Sequence, residues 1–237
     1  MKKIITCAIF VAFIGSAQAA TISWNAAFAT NDNAVSTTYN LVEAYNFGDA
    51  NEADSPTINT VTFTAAPDTS ANQSIGKLST QWDWSRADGS RYGGNNYGGI
   101  EVSSVTLSNM LSSTWTDDAS GSFDETTFTL NDLNVGWDYE VQLFFSNDNN
   151  LDVITAVDIT TTADVDGTGG PHVFTGTFKA DAATQIFDVR AYVGATDAQT
   201  EQNISAYQLR AIPEPATIGL LGLGALLTMF IRRYRRV

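Results

Sequence analysis

The chain has 237 residues, with 12 Lys and Arg against 26 Asp and Glu, one histidine and one cysteine, for a formal charge of −14. So acidic a chain repels nucleic acid and anionic lipid, which excludes a nucleic-acid-binding function. One cysteine excludes a disulfide framework, and one histidine excludes a histidine-rich metal centre.

Met1 to Ala19 opens with Lys2 and Lys3, continues as an apolar run from Ile4 to Ile14, and ends in small residues at Ala17 and Ala19. This is the pattern of a secretory signal peptide, cleaved before Ala20. The apolar run is 11 residues, well short of the ~20 that a retained spanning helix needs. Cys7 leaves with this segment, so the mature chain has neither a disulfide nor thiolate chemistry.

Residues 20–211 read as one ectodomain, long enough to bury a core without staples. Between the signal peptide and the C-terminal apolar segment, only Lys77, Arg86, Arg91, Lys179, Arg190 and Arg210 face all 26 acidic residues, leaving a charge of −20. Alternating apolar and polar residues predict strands at Ile22–Ala26, Val61–Phe63, Val102–Leu107 and Thr126–Leu130. The longest one-sided stripe is Tyr139, Val141, Leu143 and Phe145. Further strands are expected at Val153–Ile159, Val173–Phe178, Ile186–Val193 and Ile204–Ala211, with Thr, Ser, Asn, Asp and Gly between them. No sustained helical period interrupts the series, which predicts an all-β fold, a single antiparallel β-sandwich.

Leu130 to Val141 contains a leucine pair, Leu130 and Leu133, then Gly136 and a Tyr139-x-Val141 strand. This stretch resembles the entry to a central strand in galactose-binding-like and malectin-like jelly rolls. Fibronectin type III domains carry a similar pattern with the tyrosine at a corner between strands, and core packing alone is the other reading of Tyr139. Length favours the larger, jelly-roll-like sandwich.

Two stretches carry candidate ligand chemistry. Trp82, Asp83, Trp84, Arg91, Tyr92, Asn95, Asn96 and Tyr97 combine aromatic faces with Asp, Asn and Arg donors and acceptors, the combination that binds sugar rings. The competing reading makes the tryptophans a cap on the end of the sandwich and the Gly/Asn segment a plain loop. Asp164 and Asp166 alternate in an apparent turn, a spacing of hard oxygen ligands that suits calcium, although local turn hydrogen bonding explains the same residues. Asp148 and Asp152 repeat that weaker pattern. Any Ser-His-Asp triad would depend on His172, and no nucleophile elbow is present. A glycosidase needs only two carboxylates, and no motif singles out a pair.

The C-terminus is the most informative stretch. Pro213-Glu214-Pro215 is followed by an uncharged segment from Ala216 to Ile231 and then by Arg232, Arg233, Arg235 and Arg236. Sixteen apolar residues are a short span, extended at one end by arginines that place the C-terminus in the cytoplasm and the rest of the chain outside. The prolines keep the preceding segment extended, as a processing enzyme requires.

This order of parts resembles the PEP-CTERM sorting signal, over Ile212 to Val237. The resemblance implies that residues 212–237 are read by an exosortase, a membrane-embedded transpeptidase-like enzyme, and that the tail is removed during export to the surface or matrix. Pro213, Glu214, Pro215 and the four terminal arginines match the motif, as do Gly219, Gly222 and Gly224 within the apolar helix. The expectation is therefore an exported, non-enzymatic protein of the cell surface or extracellular matrix, first anchored in the membrane through 216–231 and associated with exopolysaccharide. A carbohydrate-binding module is the alternative activity and a secreted glycosidase a further one. Calcium is the one cofactor that the acidic turns would take.

Overall fold

The computed structural model describes residues 21–47, 55–66, 74–80, 84–87, 96–97, 100–112, 114–117, 125–145, 150–155, 158–165, 171–193, 198–199 and 203–213. Strand β1 (Ser23–Phe28) leads through a 3-10 turn at Asp32–Ala34 to β2 (Asn40–Asn46). Short strands follow: β3 (Thr57–Ile58), β4 (Val61–Thr62), β5 (Thr64–Ala65), β6 (Ser74–Ile75), β7 (Leu78–Thr80), β8 (Trp84–Ala87), β9 (Asn96–Tyr97) and β10 (Ile100–Glu101). Helix α1 (Val105–Ser112) precedes β11 (Thr114–Asp117), β12 (Glu125–Leu130), β13 (Asp138–Phe145), β14 (Asn150–Thr155) and β15 (Asp158–Val165). The chain closes with β16 (His172–Lys179), β17 (Gln185–Val193), β18 (Ala198–Gln199) and β19 (Asn203–Ile212).

Among the described residues, eight strands form one sheet along the path β1-β16-β13-β19-β11-β8, with β2 beside β19 and β5 beside β2. Seven form a second along β15-β14-β17-β12-β7-β6, with β18 beside β17. The protein is mostly β structure, as its sequence predicts. One side of β19 carries β13 throughout; the other carries β11 at Asn203–Ile204 and β2 from Ala206 to Ala211.

The alternation along β13 explains the core. Tyr139, Val141, Leu143 and Phe145 share a buried cluster with Phe174, Tyr207 and Leu209 of the first sheet and with Phe128, Leu130, Phe187 and Val189 of the second. Trp24 bridges them, its ring edge-on to Phe187 at 5.3 Å. It fits because Gly176, opposite it in register, has no side chain to occupy the space.

Three features depart from the sequence reading. The expected strand at Val102–Leu107 is instead irregular at 102–104 and then the first turn of helix α1. Ser104 caps it, accepting from the Leu107 amide, and Leu107, Met110 and Leu111 recur at helical spacing into a second buried cluster with Val35, Phe63, Phe144 and Val173. The β13 stripe is not one-sided either, since the residues between its members are also covered: Glu140, Gln142 and Phe144 are buried as well. Finally, the sheets are not wholly antiparallel, because β5 joins β2 in parallel at Tyr45–Thr64 and Asn46–Ala65.

Among the described residues no helix is long and apolar enough to cross a membrane. The signal peptide and the segment 216–231 lie outside them.

Candidate functional site

The site of interest is where the folded domain meets its C-terminal tail. The last strand does not stop short of the tail: β19 keeps its register with β13 through the pairs Glu140–Arg210, Tyr139–Ala211 and Asp138–Ile212. Arg210 and Ala211 are buried, Ile212 is half-buried, and Pro213 is exposed. Proline has no amide hydrogen to continue the ladder, so pairing ends where the Pro213 ring begins.

The end of β19 is fixed on both sides. Glu140 and Arg210 are 8% and 4% exposed, and the Arg210 Nη1 donates to the Tyr39 carbonyl. Burial lowers the arginine pKa from its ordinary value, and the neighbouring Glu140 charge opposes that shift. Gln142 accepts from the Ser36 amide at 2.9 Å, donates to the Ala34 carbonyl at 3.1 Å and accepts a further bond from Gln208. The segment 34–39 is thus stitched across the sheet by polar side chains.

The other side is the turn before β13. Tyr139 is buried and its hydroxyl accepts from the Asn134 amide at 3.0 Å, so it is both core and a corner tyrosine. Asp132 and Gly136 supply the positive φ angles that the turn needs, at 52° and 89°. Backbone bonds from Leu133 to Ala183, Gly136 to Ala180 and Ala180 to Trp137 hold it in place.

Residues 211–236 match the PEP-CTERM protein-sorting motif. The chain carries a PEP-CTERM sorting signal. Such a signal marks an exosortase substrate, exported and sorted to the cell surface. The PEP-CTERM match begins one residue before the expected boundary, so Ala211 and Ile212 belong to both the signal and β19. No curated protein and no solved structure matches the chain.

Of the PEP-CTERM signal, the described residues reach Pro213; Glu214, Pro215, Arg232, Arg233, Arg235 and Arg236 lie outside them. So do Trp82, Asp83, Arg91, Tyr92, Asn95 and Asp166. Among the described residues, Trp84 falls on β8, the last strand on its path through the eight-stranded sheet, whereas Asn96 and Tyr97 form β9, paired with β10. Asp164 is a correction: it lies within β15 opposite Asp152 of β14, so neither occupies a turn. No group of three or more potential metal ligands occurs among the described residues. His172 is buried at the start of β16, its ring 4.8 Å from that of Phe28.

One feature escaped the sequence reading. Glu43 of β2 accepts from the Tyr207 hydroxyl at 2.6 Å and from the Lys77 amide at 2.7 Å, tying the β6–β7 hairpin to β19. Burial, and then the Glu43 charge and hydrogen bond, push the Tyr207 hydroxyl pKa well above its ordinary value. Gly76 at the hairpin turn (φ 58°) makes the approach possible, since a Cβ there would meet Glu43 Oε2 at 2.4 Å. A glycine beside a lysine, between Ile75 and Leu78, was the available turn signal.

Proposed function

We propose that this is a non-enzymatic protein of the cell surface or extracellular matrix, a two-sheet, jelly-roll-like sandwich associated with exopolysaccharide. The N-terminal segment directs export and is removed. Residues 216–231 then hold the precursor in the membrane, with the arginines cytoplasmic, until an exosortase cuts the tail.

The observation that carries this reading is the direct passage of β19 into the signal. Ile212 is still paired with Asp138 while Pro213 is exposed, so the domain is folded up to the tail it will lose. Intact mass and cell fractionation of wild type and Glu214→Ala, in a host with the processing enzyme, test it. Wild type should be recovered outside the cell without residues 216–237, and Glu214→Ala should remain membrane-bound and uncut. An intact C-terminus on both would refute it.

A carbohydrate-binding role is the second reading, favoured by Trp84 on the terminal strand of the larger sheet. Glycan-array binding that is lost in Trp84→Ala, with unchanged melting, would support it.

A further inference from the structure

We propose that the rim around the end of β19, marked by Leu41, Val135 and Trp137, rests in the headgroup layer of the membrane while the uncut tail tethers the domain. The proposal depends on residues 216–231 acting as the temporary span described above.

Among the described residues seven large apolar side chains remain exposed. Four of them, Leu41, Val42, Val135 and Trp137, flank the strand end from which the tail departs. Trp137 immediately precedes Asp138, the partner of Ile212, and Val135 lies two residues further back in the same turn. Leu41 is opposite Arg210 on the other side of β19, and Val42 is the extra residue of the β2 bulge. Trp137 is 47% and Val135 61% exposed, although the turn that bears them is anchored by backbone bonds to Ala180 and Ala183. Two apolar side chains are thus held exposed on an anchored turn, with no partner among the described residues to cover them.

The tether says what can cover them. Three residues separate Ile212 from Ala216, so at full extension the strand end is within about 14 Å of the apolar segment. Headgroup layers are roughly 5–8 Å thick on each side of the hydrocarbon. So short a tether keeps this rim at the bilayer surface. Tryptophan favours that layer because its ring is apolar and its N–H can stay hydrated.

Charge is not what drives the placement. Three of the domain's six basic residues are here: Lys77, whose Nζ donates to the Asp132 carbonyl at 2.6 Å, Lys179, 3.6 Å from Asp138, and Arg210, opposite Leu41. Glu43, Asp132, Asp138, Glu140 and Asp181 outnumber them, so the rim stays mildly acidic and the contact rests on its apolar side chains rather than on attraction to anionic lipid.

The test uses the full chain carrying Cys7→Ser and a single nitroxide attached at Val135→Cys, Leu41→Cys or Val105→Cys, reconstituted into phosphatidylethanolamine/phosphatidylglycerol vesicles. Val105 is as exposed as Val135 but sits on α1, whose end receives a bond from Ser205 at the opposite end of β19. Collisions with a water-soluble nickel chelate should be several-fold fewer at positions 135 and 41 than at 105, and Trp137→Ser should raise them at 135. Equal nickel access at 135 and 105, in chains that float with the vesicles, would overturn the proposal and leave the rim to a protein partner. Chains that do not float would overturn it too, by removing the span on which it depends.

Discussion

Arg210→Met is the most informative single change to the strand that bears the sorting signal. It removes the positive neighbour of Glu140, a carboxylate 8% exposed whose Oε1 has no hydrogen-bond partner among the described residues, and it also removes the bond to the Tyr39 carbonyl. Deleting one member of a buried charge pair costs ~3–5 kcal/mol, because the survivor stays desolvated and uncompensated. Glu140 and Arg210 are cross-strand neighbours that act on each other through charge rather than a direct hydrogen bond, so the low end, about 3 kcal/mol, applies. For a domain of roughly 150–250 residues each kcal/mol lowers Tm by about 2–4 °C, giving a drop of about 6–12 °C by circular dichroism. Glu140→Leu together with Arg210→Met should recover most of that loss, since replacing both charges with apolar groups is often neutral or stabilising. A Tm within a degree of wild type for Arg210→Met alone would refute the reasoning, as would a double variant no more stable than the sum of the single changes.

Other predictions concern the core and the alkaline limit. Tyr139→Phe keeps the ring but removes the acceptor for the Asn134 amide, costing about 1 kcal/mol, whereas Tyr139→Ala should cost several times more; urea denaturation separates them. Gly176→Ala places a Cβ 2.7 Å from Trp24 Cζ3 and 2.8 Å from Ile22 Cγ2. That overpacking should cost ~1–3 kcal/mol, and the penalty should shrink in a Trp24→Leu background when read as a double-mutant cycle. The raised Tyr207 pKa means that the native state holds a proton the unfolded chain gives up above pH 10.0, so stability is fully present below that pH and falls as pH rises beyond it. Tyr207→Phe should flatten that part of the alkaline stability profile, and an unchanged slope would show that burial and the Glu43 contact do not hold the phenol protonated.

The inner face of β13 is legible from sequence because Tyr139, Val141, Leu143 and Phe145 alternate with two polar residues. The same polar residues hide the other face: Glu140 and Gln142 read as solvent-facing, yet they are buried by a segment about a hundred residues away in sequence. The hydrogen bonds of Gln142 to Ser36 and Ala34 depend on tertiary placement, which no local period reports. Helix α1 is short, and its Val102–Leu107 approach mimics a strand until the Ser104 cap and the Leu107, Met110, Leu111 spacing are weighed. Asp164 misleads in the opposite direction, because an alternating Asp pair fits a strand as well as a ligand loop. The sorting signal is legible without structure because charge, proline and an apolar run are properties of the chain itself.

The position of β19 has a consequence for the order of events during export. It is the last strand made, yet it fills the middle of the larger sheet, with β13 on one edge and β2 and β11 on the other. Until residues 203–212 have crossed, that sheet is split into parts with unpaired edges, which invite proteolysis and mispairing. Folding therefore waits for the residues that immediately precede, and partly overlap, the sorting signal. A chain truncated before residue 203 would lack both the central strand and the signal, so completing the fold and completing the signal are tied to the same residues.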